Sequence, residues 1–128
     1  MINDGDKKLF RFRDWEVYKD SQGIFYEILK IVRRLPSDLR YTLEGQIIRS
    51  ALSIVLNIAE GSGRYIDKEM KRFFDIAIGS INETVAGLDS LLKIASIEEK
   101  EFNYILQKLG SISRQLGGFK KSINASSS

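Results

Sequence analysis

Apolar side chains recur three or four positions apart through most of this chain, and that period predicts helices. Trp15, Tyr18, Gln22, Phe25, Leu29 and Val32 fall on one helical face upstream of Pro36, the only proline. A proline ring clashes with a continuing helix, so the first element is expected to end there. Ser37 and Thr42 are candidate N-caps for a second helix with Leu43, Ile47, Ala51, Ile54 and Ile58 on its stripe. Gly61-Ser62-Gly63 then supplies a helix C-terminus and a turn. Asp67 is a candidate cap for a third helix facing inward with Phe74, Ala77, Ile81, Leu88, Leu92 and Ala95. Ser96 and Glu99 have capping-box spacing for a fourth, which is expected to bury Phe102, Ile105, Leu109, Ile112, Leu116 and Phe119. Gly117-Gly118 weakens its last turns. No segment alternates with period two for long enough to make a strand. Four long helices with short connections make an all-α, antiparallel up-down-up-down four-helix bundle. The bundle is placed at residues 12–123, after an N-terminal arm (1–11) and before a small, polar, disordered tail (124–128).

The first two helices carry more apolar surface than one stripe. Val17, Ile24, Ile28, Ile31 and Leu35 form a second row on the first helix, and Ile48, Leu52, Val55 and Ala59 widen the stripe on the second. A bundle helix normally shows one apolar arc with a polar back. The extra rows either widen the internal core or cover a subunit interface. The interface is the favoured reading, because monomers rarely expose large apolar patches. Self-association as a closed homo-oligomer follows.

Composition narrows the chemistry. The chain has 128 residues, 43% hydrophobic and 29% charged, enough for one domain with one core. It has no cysteine and no histidine. Disulfides and thiolate metal sites are excluded, and the commonest general base and metal ligand are missing. No catalytic residue, metal site or cofactor is assigned, and an enzyme is not expected. No apolar run approaches the roughly 18 to 20 residues of a membrane helix, and residues 1–12 lack a signal-peptide core. A cytoplasmic protein is expected.

Two sets of polar residues are candidate sites. Arg49, Ser53, Asn57 and Glu60 lie along one side of the second helix, and Ser80 and Glu83 lie partly in register on the third. Arg49 is expected to pair with Glu83, with Ser53, Asn57 and Ser80 satisfying one another and Gly79 and Ser80 small enough for close approach. This network is read first as structural, ahead of ligand or RNA contact. The second set is basic. The net charge is only +3, but an up-down bundle gathers eleven basic and eight acidic side chains at one end, a local net of +3. Arg11, Arg13, Arg64, Lys68, Lys71, Arg72, Lys120 and Lys121 there are the candidate nucleic-acid contacts. A ring of protomers would sum such poles into one positive face. Gly61-Ser62-Gly63-Arg64 lacks the P-loop pattern and has no preceding strand, so it is read as a corner.

The stretch Gln46-Ile47-Ile48-Arg49-Ser50-Ala51-Leu52-Ser53-Ile54-Val55-Leu56-Asn57-Ile58-Ala59-Glu60-Gly61-Ser62-Gly63-Arg64 resembles the proteins encoded in intervening sequences of bacterial 23S ribosomal RNA genes. Phe12-Arg13-Asp14-Trp15-Glu16-Val17-Tyr18, Leu35-Pro36 and Phe73-Phe74-Asp75-Ile76-Ala77-Ile78-Gly79-Ser80-Ile81-Asn82-Glu83-Thr84 are similar to other parts of that family. The resemblance covers about residues 10 to 123. It implies an antiparallel four-helix bundle in a homopentameric ring, with no activity that carries over residue by residue. A more distant similarity, to the accessory protein of diversity-generating retroelements, implies a basic ring that binds nucleic acid and a reverse transcriptase. The sequence thus leads to a non-enzymatic homo-oligomer binding RNA or a nucleoprotein through a basic face. A protein-interaction scaffold that binds no nucleic acid is the alternative.

Overall fold

Six helical segments account for most of the described residues. The computed structural model describes residues 2–94 and 96–127, with side chains described as far as Ile123. The segments are α1 (Asp4–Leu9), a 3-10 turn (Arg11–Asp14), α2 (Glu16–Arg33), α3 (Ser37–Ser62), α4 (Asp67–Lys93) and α5 (Glu99–Ser127). No strand occurs among the described residues. Each long helix packs against its chain neighbours, and α2 also packs against α5, closing the bundle. Cross-helix pairs fix the antiparallel sense. Ser80 meets Ser53 and Thr84 meets Ser50 between α3 and α4. Arg34 meets Glu101 and Asp20 meets Gln115 between α2 and α5.

The helix starts differ from the expected caps in an instructive way. Pro36 occupies the cap position of α3 with extended backbone, and its carbonyl accepts from the Arg40 amide at 2.8 Å. Ser37 is therefore the first helical residue, while Thr42 donates its hydroxyl to the Asp38 carbonyl inside the helix. Ile66 stands in the cap position of α4, which leaves Asp67 in the first turn, where a carboxylate favours the positive helix end. The Glu98 carbonyl accepts the first bond of α5 at 3.0 Å, so that helix begins two residues later than the Ser96–Glu99 spacing predicts. The N-terminal arm contains a short helix, α1, capped by the Asn3 side chain on the Asp6 amide at 2.9 Å. Gly117 and Gly118 do not end α5, which runs on to Ser127. Ser128, and the side chains of residues 124–127, lie outside the described residues, as does Ala95.

The core corrects the reading of α2. Val17, Ile24, Ile28, Ile31 and Leu35, expected as an interface row, are all buried within this one bundle. With Ser21 they are spaced four, three, four, three and four, the seam of an antiparallel bundle. Tyr18, Phe25 and Leu29, expected to lead the core, are half-buried along its border, and Gln22 is exposed. α4 and α5 face inward largely as the period predicts, with Phe74, Ala77, Ile81, Leu88, Phe102, Ile105, Leu109, Ile112 and Leu116 buried. Phe119 is an exception: it lies at the exposed border and stacks on Trp15 with ring centroids 5.3 Å apart.

Candidate nucleic-acid interface

Hydroxyls line the seam between α3 and α4. Ser80 Oγ donates to Ser53 Oγ at 2.8 Å, and Asn57 Nδ2 donates to the Ser53 carbonyl at 2.8 Å and to Ser53 Oγ at 3.0 Å. Farther along, Thr84 Oγ1 lies 2.8 Å from both Ser50 Oγ and the Ser80 carbonyl, and Ser50 Oγ donates to the Ile47 carbonyl at 3.0 Å. No buried side-chain polar atom among the described residues lacks a partner. The seam's hydroxyls are largely spent on one another and on the backbone, which suits a structural fastener between the two helices.

The other polar candidates do not join it. Arg49 and Glu83 are both exposed and form no ion pair among the described residues, so the expected cross-helix bridge is absent. The physical reason is rotation. Ile47, Ser50 and Ile54 face the core and the seam, and Arg49 turns away from them, with a guanidinium nitrogen over Gly45. Glu60 pairs instead with Arg64, just past the end of α3, at 2.8 Å. Gly79 is exposed, and a methyl added there would touch nothing, so it does not mediate close approach. Gly61 and Gly87 do. A methyl at Gly61 would lie 2.8 Å from Phe74 Cε1, and one at Gly87 would lie 3.1 Å from Ile47 Cγ1. Ser50, Thr84 and Gly87 were legible only as small residues at seam spacing.

The basic candidates gather at one end of the bundle over a layer of aromatic rings. Phe12 meets Tyr18 at 4.9 Å, Trp15 meets Phe119 at 5.3 Å, and Phe119 meets Phe74 at 5.9 Å, joining the chain ends to the helices. Arg11 donates to the Ser62 carbonyl at 3.2 Å and lies 5.8 Å above Trp15. Arg64 and Arg72 each lie 4.6 Å from the Phe73 ring, and carboxylates partly neutralise both: Glu60 for Arg64 and, at 3.3 Å, Glu69 for Arg72. Lys120 pairs with Asp75. Lys71 is half-buried and has a partner of its own. Arg13, Lys68 and Lys121 are exposed and form no ion pair among the described residues. The same pole exposes Leu9, Phe10, Tyr65 and Ile66, none of which lies on an apolar helical stripe. Their only signal is apolar bulk beside glycine and charge, outside any helical period.

The outward face of α3 is the other unsatisfied surface. Leu52 is 37% exposed and Leu56 53% exposed, with half-buried Ile48 and Ala59 beside them, directly opposite the core row of Ile47, Ile54 and Ile58. α4 adds exposed Ile76. Among the described residues no three potential ligand side chains cluster to hold a metal, and no helix is long and apolar enough to cross a membrane.

No functionally curated protein matches the sequence. A crystal structure from Bacteroides thetaiotaomicron, described as a protein of unknown function from the S23 ribosomal protein family, superimposes with a TM-score of 0.73. It is 22% identical, and the alignment covers 82% of this chain and 98% of that one, which shows a shared fold. The model of the 23S rRNA-intervening sequence proteins matches residues 13–118, from the 3-10 turn through most of α5. By that match the chain belongs to the 23S rRNA-intervening sequence protein family.

Proposed function

We propose that the protein is a non-enzymatic homo-oligomer, a ring of five in the reading the family resemblance favours, which binds RNA or a nucleoprotein through its summed basic poles in the cytoplasm. The observation that carries this reading is the outward face of α3. A helix apolar on both its inner and outer sides is one that expects cover on both. Leu52 and Leu56 stand opposite a core row already filled by the chain's own helices. A second copy is the occupant this face fits. One pole alone is a weak anion site, since Glu60, Glu69 and Asp75 offset three of its cations. Repetition around an assembly multiplies the phosphate contacts made by Arg13, Lys68 and Lys121, and affinity rises steeply with their number.

Those ion pairs also favour a second reading, an assembly that serves as a protein-interaction scaffold and leaves nucleic acid alone. One experiment separates the two. Retention of structured RNA at low salt is measured for the wild type, for Leu52→Glu/Leu56→Glu, and for Arg13→Glu/Lys68→Glu/Lys121→Glu. The RNA reading requires salt-sensitive binding by the wild type and loss of it in both variants. An assembled wild type that retains no RNA at low salt leaves the scaffold.

A further inference from the structure

The corner between α3 and α4 holds an aromatic side chain with no packing role. Tyr65 is fully exposed and its neighbour Ile66 is 65% exposed. The connection is nevertheless tightly held. The Gly63 amide bonds the Glu60 carbonyl and the Arg64 amide bonds the Gly61 carbonyl, both at 3.2 Å, and the Met70 amide bonds the Ile66 carbonyl at 3.0 Å. The backbone of so short and anchored a turn is already ordered, so only the two side-chain torsions of Tyr65 are fixed when something stacks on its ring. Charge surrounds it. Arg64 is the preceding residue, with its guanidinium laid against Phe73, and exposed Lys68 follows on the first turn of α4. Arg64 spends one nitrogen on Glu60, and a guanidinium has five donors.

We propose that this corner is a single-stranded RNA site in which Tyr65 stacks on a base while Arg64 and Lys68 hold the flanking phosphates. The inference rests on the RNA reading above and sharpens it from a diffuse pole to a site with a strand preference. An aromatic platform beside cations is the common means of holding unpaired bases, and it is sequence-tolerant because every base has a π-face. A duplex offers no such partner, since its bases are already stacked and paired. An anionic membrane surface is a poorer occupant: interfacial binding scales with the apolar area inserted, and the corner's own Tyr65 and Ile66 sit with Glu60, Asp67 and Glu69 close by in sequence.

The test uses the full chain, a fluorescein-labelled oligoadenylate, a blunt RNA duplex of the same length, and phosphatidylserine vesicles. Tyr65→Ala is expected to weaken single-strand binding by about 5- to 150-fold, the range that loss of one stacked base produces. Duplex binding should change less than about twofold, and Tyr65→Trp should restore the single strand. Lys68→Glu should weaken both ligands and flatten the salt dependence. Unchanged single-strand affinity in Tyr65→Ala, with Lys68→Glu still defective, would overturn the stacking site and leave the basic pole standing. A wild type that binds neither RNA would remove the pole and the corner together. Vesicle binding that depends on Tyr65 would assign the tip to lipid. A changed solution mass in Tyr65→Ala would assign it to assembly.

Discussion

Gly61 and Gly79 look equivalent along the sequence, each in a helix and each beside a serine, yet they do opposite things. Gly61 is buried where a methyl would meet the Phe74 ring at 2.8 Å, and the ring is itself fully packed. Gly61→Ala must therefore push α3 and α4 apart at their corner. A loss of about 1–3 kcal/mol is expected, read as a lower denaturation midpoint in urea. Gly79→Ala adds a methyl to open solvent and removes backbone freedom from the unfolded chain, so a gain of about 0.4–1 kcal/mol is expected in the same titration. Ser53→Ala removes the acceptor that receives both Ser80 and Asn57, stranding the buried Ser80 hydroxyl at a cost of about 1–3 kcal/mol. Glu83→Ala, by contrast, should stay within about 0.5 kcal/mol of wild type, because the side chain is exposed and bridges nothing among the described residues. Equal losses in Ser53→Ala and Glu83→Ala would mean that the seam is not the polar fastener between these helices.

At the scale of the element, α2 and α3 each carry two apolar rows, and the sequence alone does not say which row faces in. Aromatic size points to Trp15, Tyr18 and Phe25 on α2, but the fully buried row is the aliphatic one through Ile24, Ile28 and Ile31. Four close-packed helices leave room on their axis for branched aliphatics at heptad spacing, and the larger rings settle at the border, where half their surface stays wet. Ile28→Ala is therefore expected to cost about 2–5 kcal/mol in chemical denaturation, within the range for a fully buried isoleucine. A loss below about 1 kcal/mol would return α2 to the aromatic-facing arrangement. Helix existence and order were legible because the 3.6 period is long and rarely broken. Helix starts were less so, since Pro36 and Ile66 fill the cap positions without any side-chain cap. The close approach at Gly61 and Gly87 depends on the partner helix's rotation, which no local pattern records.

For the whole molecule, the basic pole was legible from topology alone: an up-down bundle must bring the 3-10 turn, the α3–α4 corner and the end of α5 together. The pairing within that pole was not. Whether Lys120 meets Asp75, or Arg72 meets Glu69, depends on helix rotation and rotamers, and each pair occupies a cation that would otherwise face solvent. The apolar outer face of α3 is thus the stronger basis for the proposed assembly, because Leu52 and Leu56 stay exposed among the described residues of the single chain. The most direct test is the solution mass of the nucleic-acid-free protein by light scattering, alongside Leu52→Glu/Leu56→Glu. The account predicts a particle of several protomers of 14.6 kDa, five in the favoured arrangement, and a helical monomer for the variant. A wild type that scatters as a single chain would contradict the assembly and the summed basic face that depends on it.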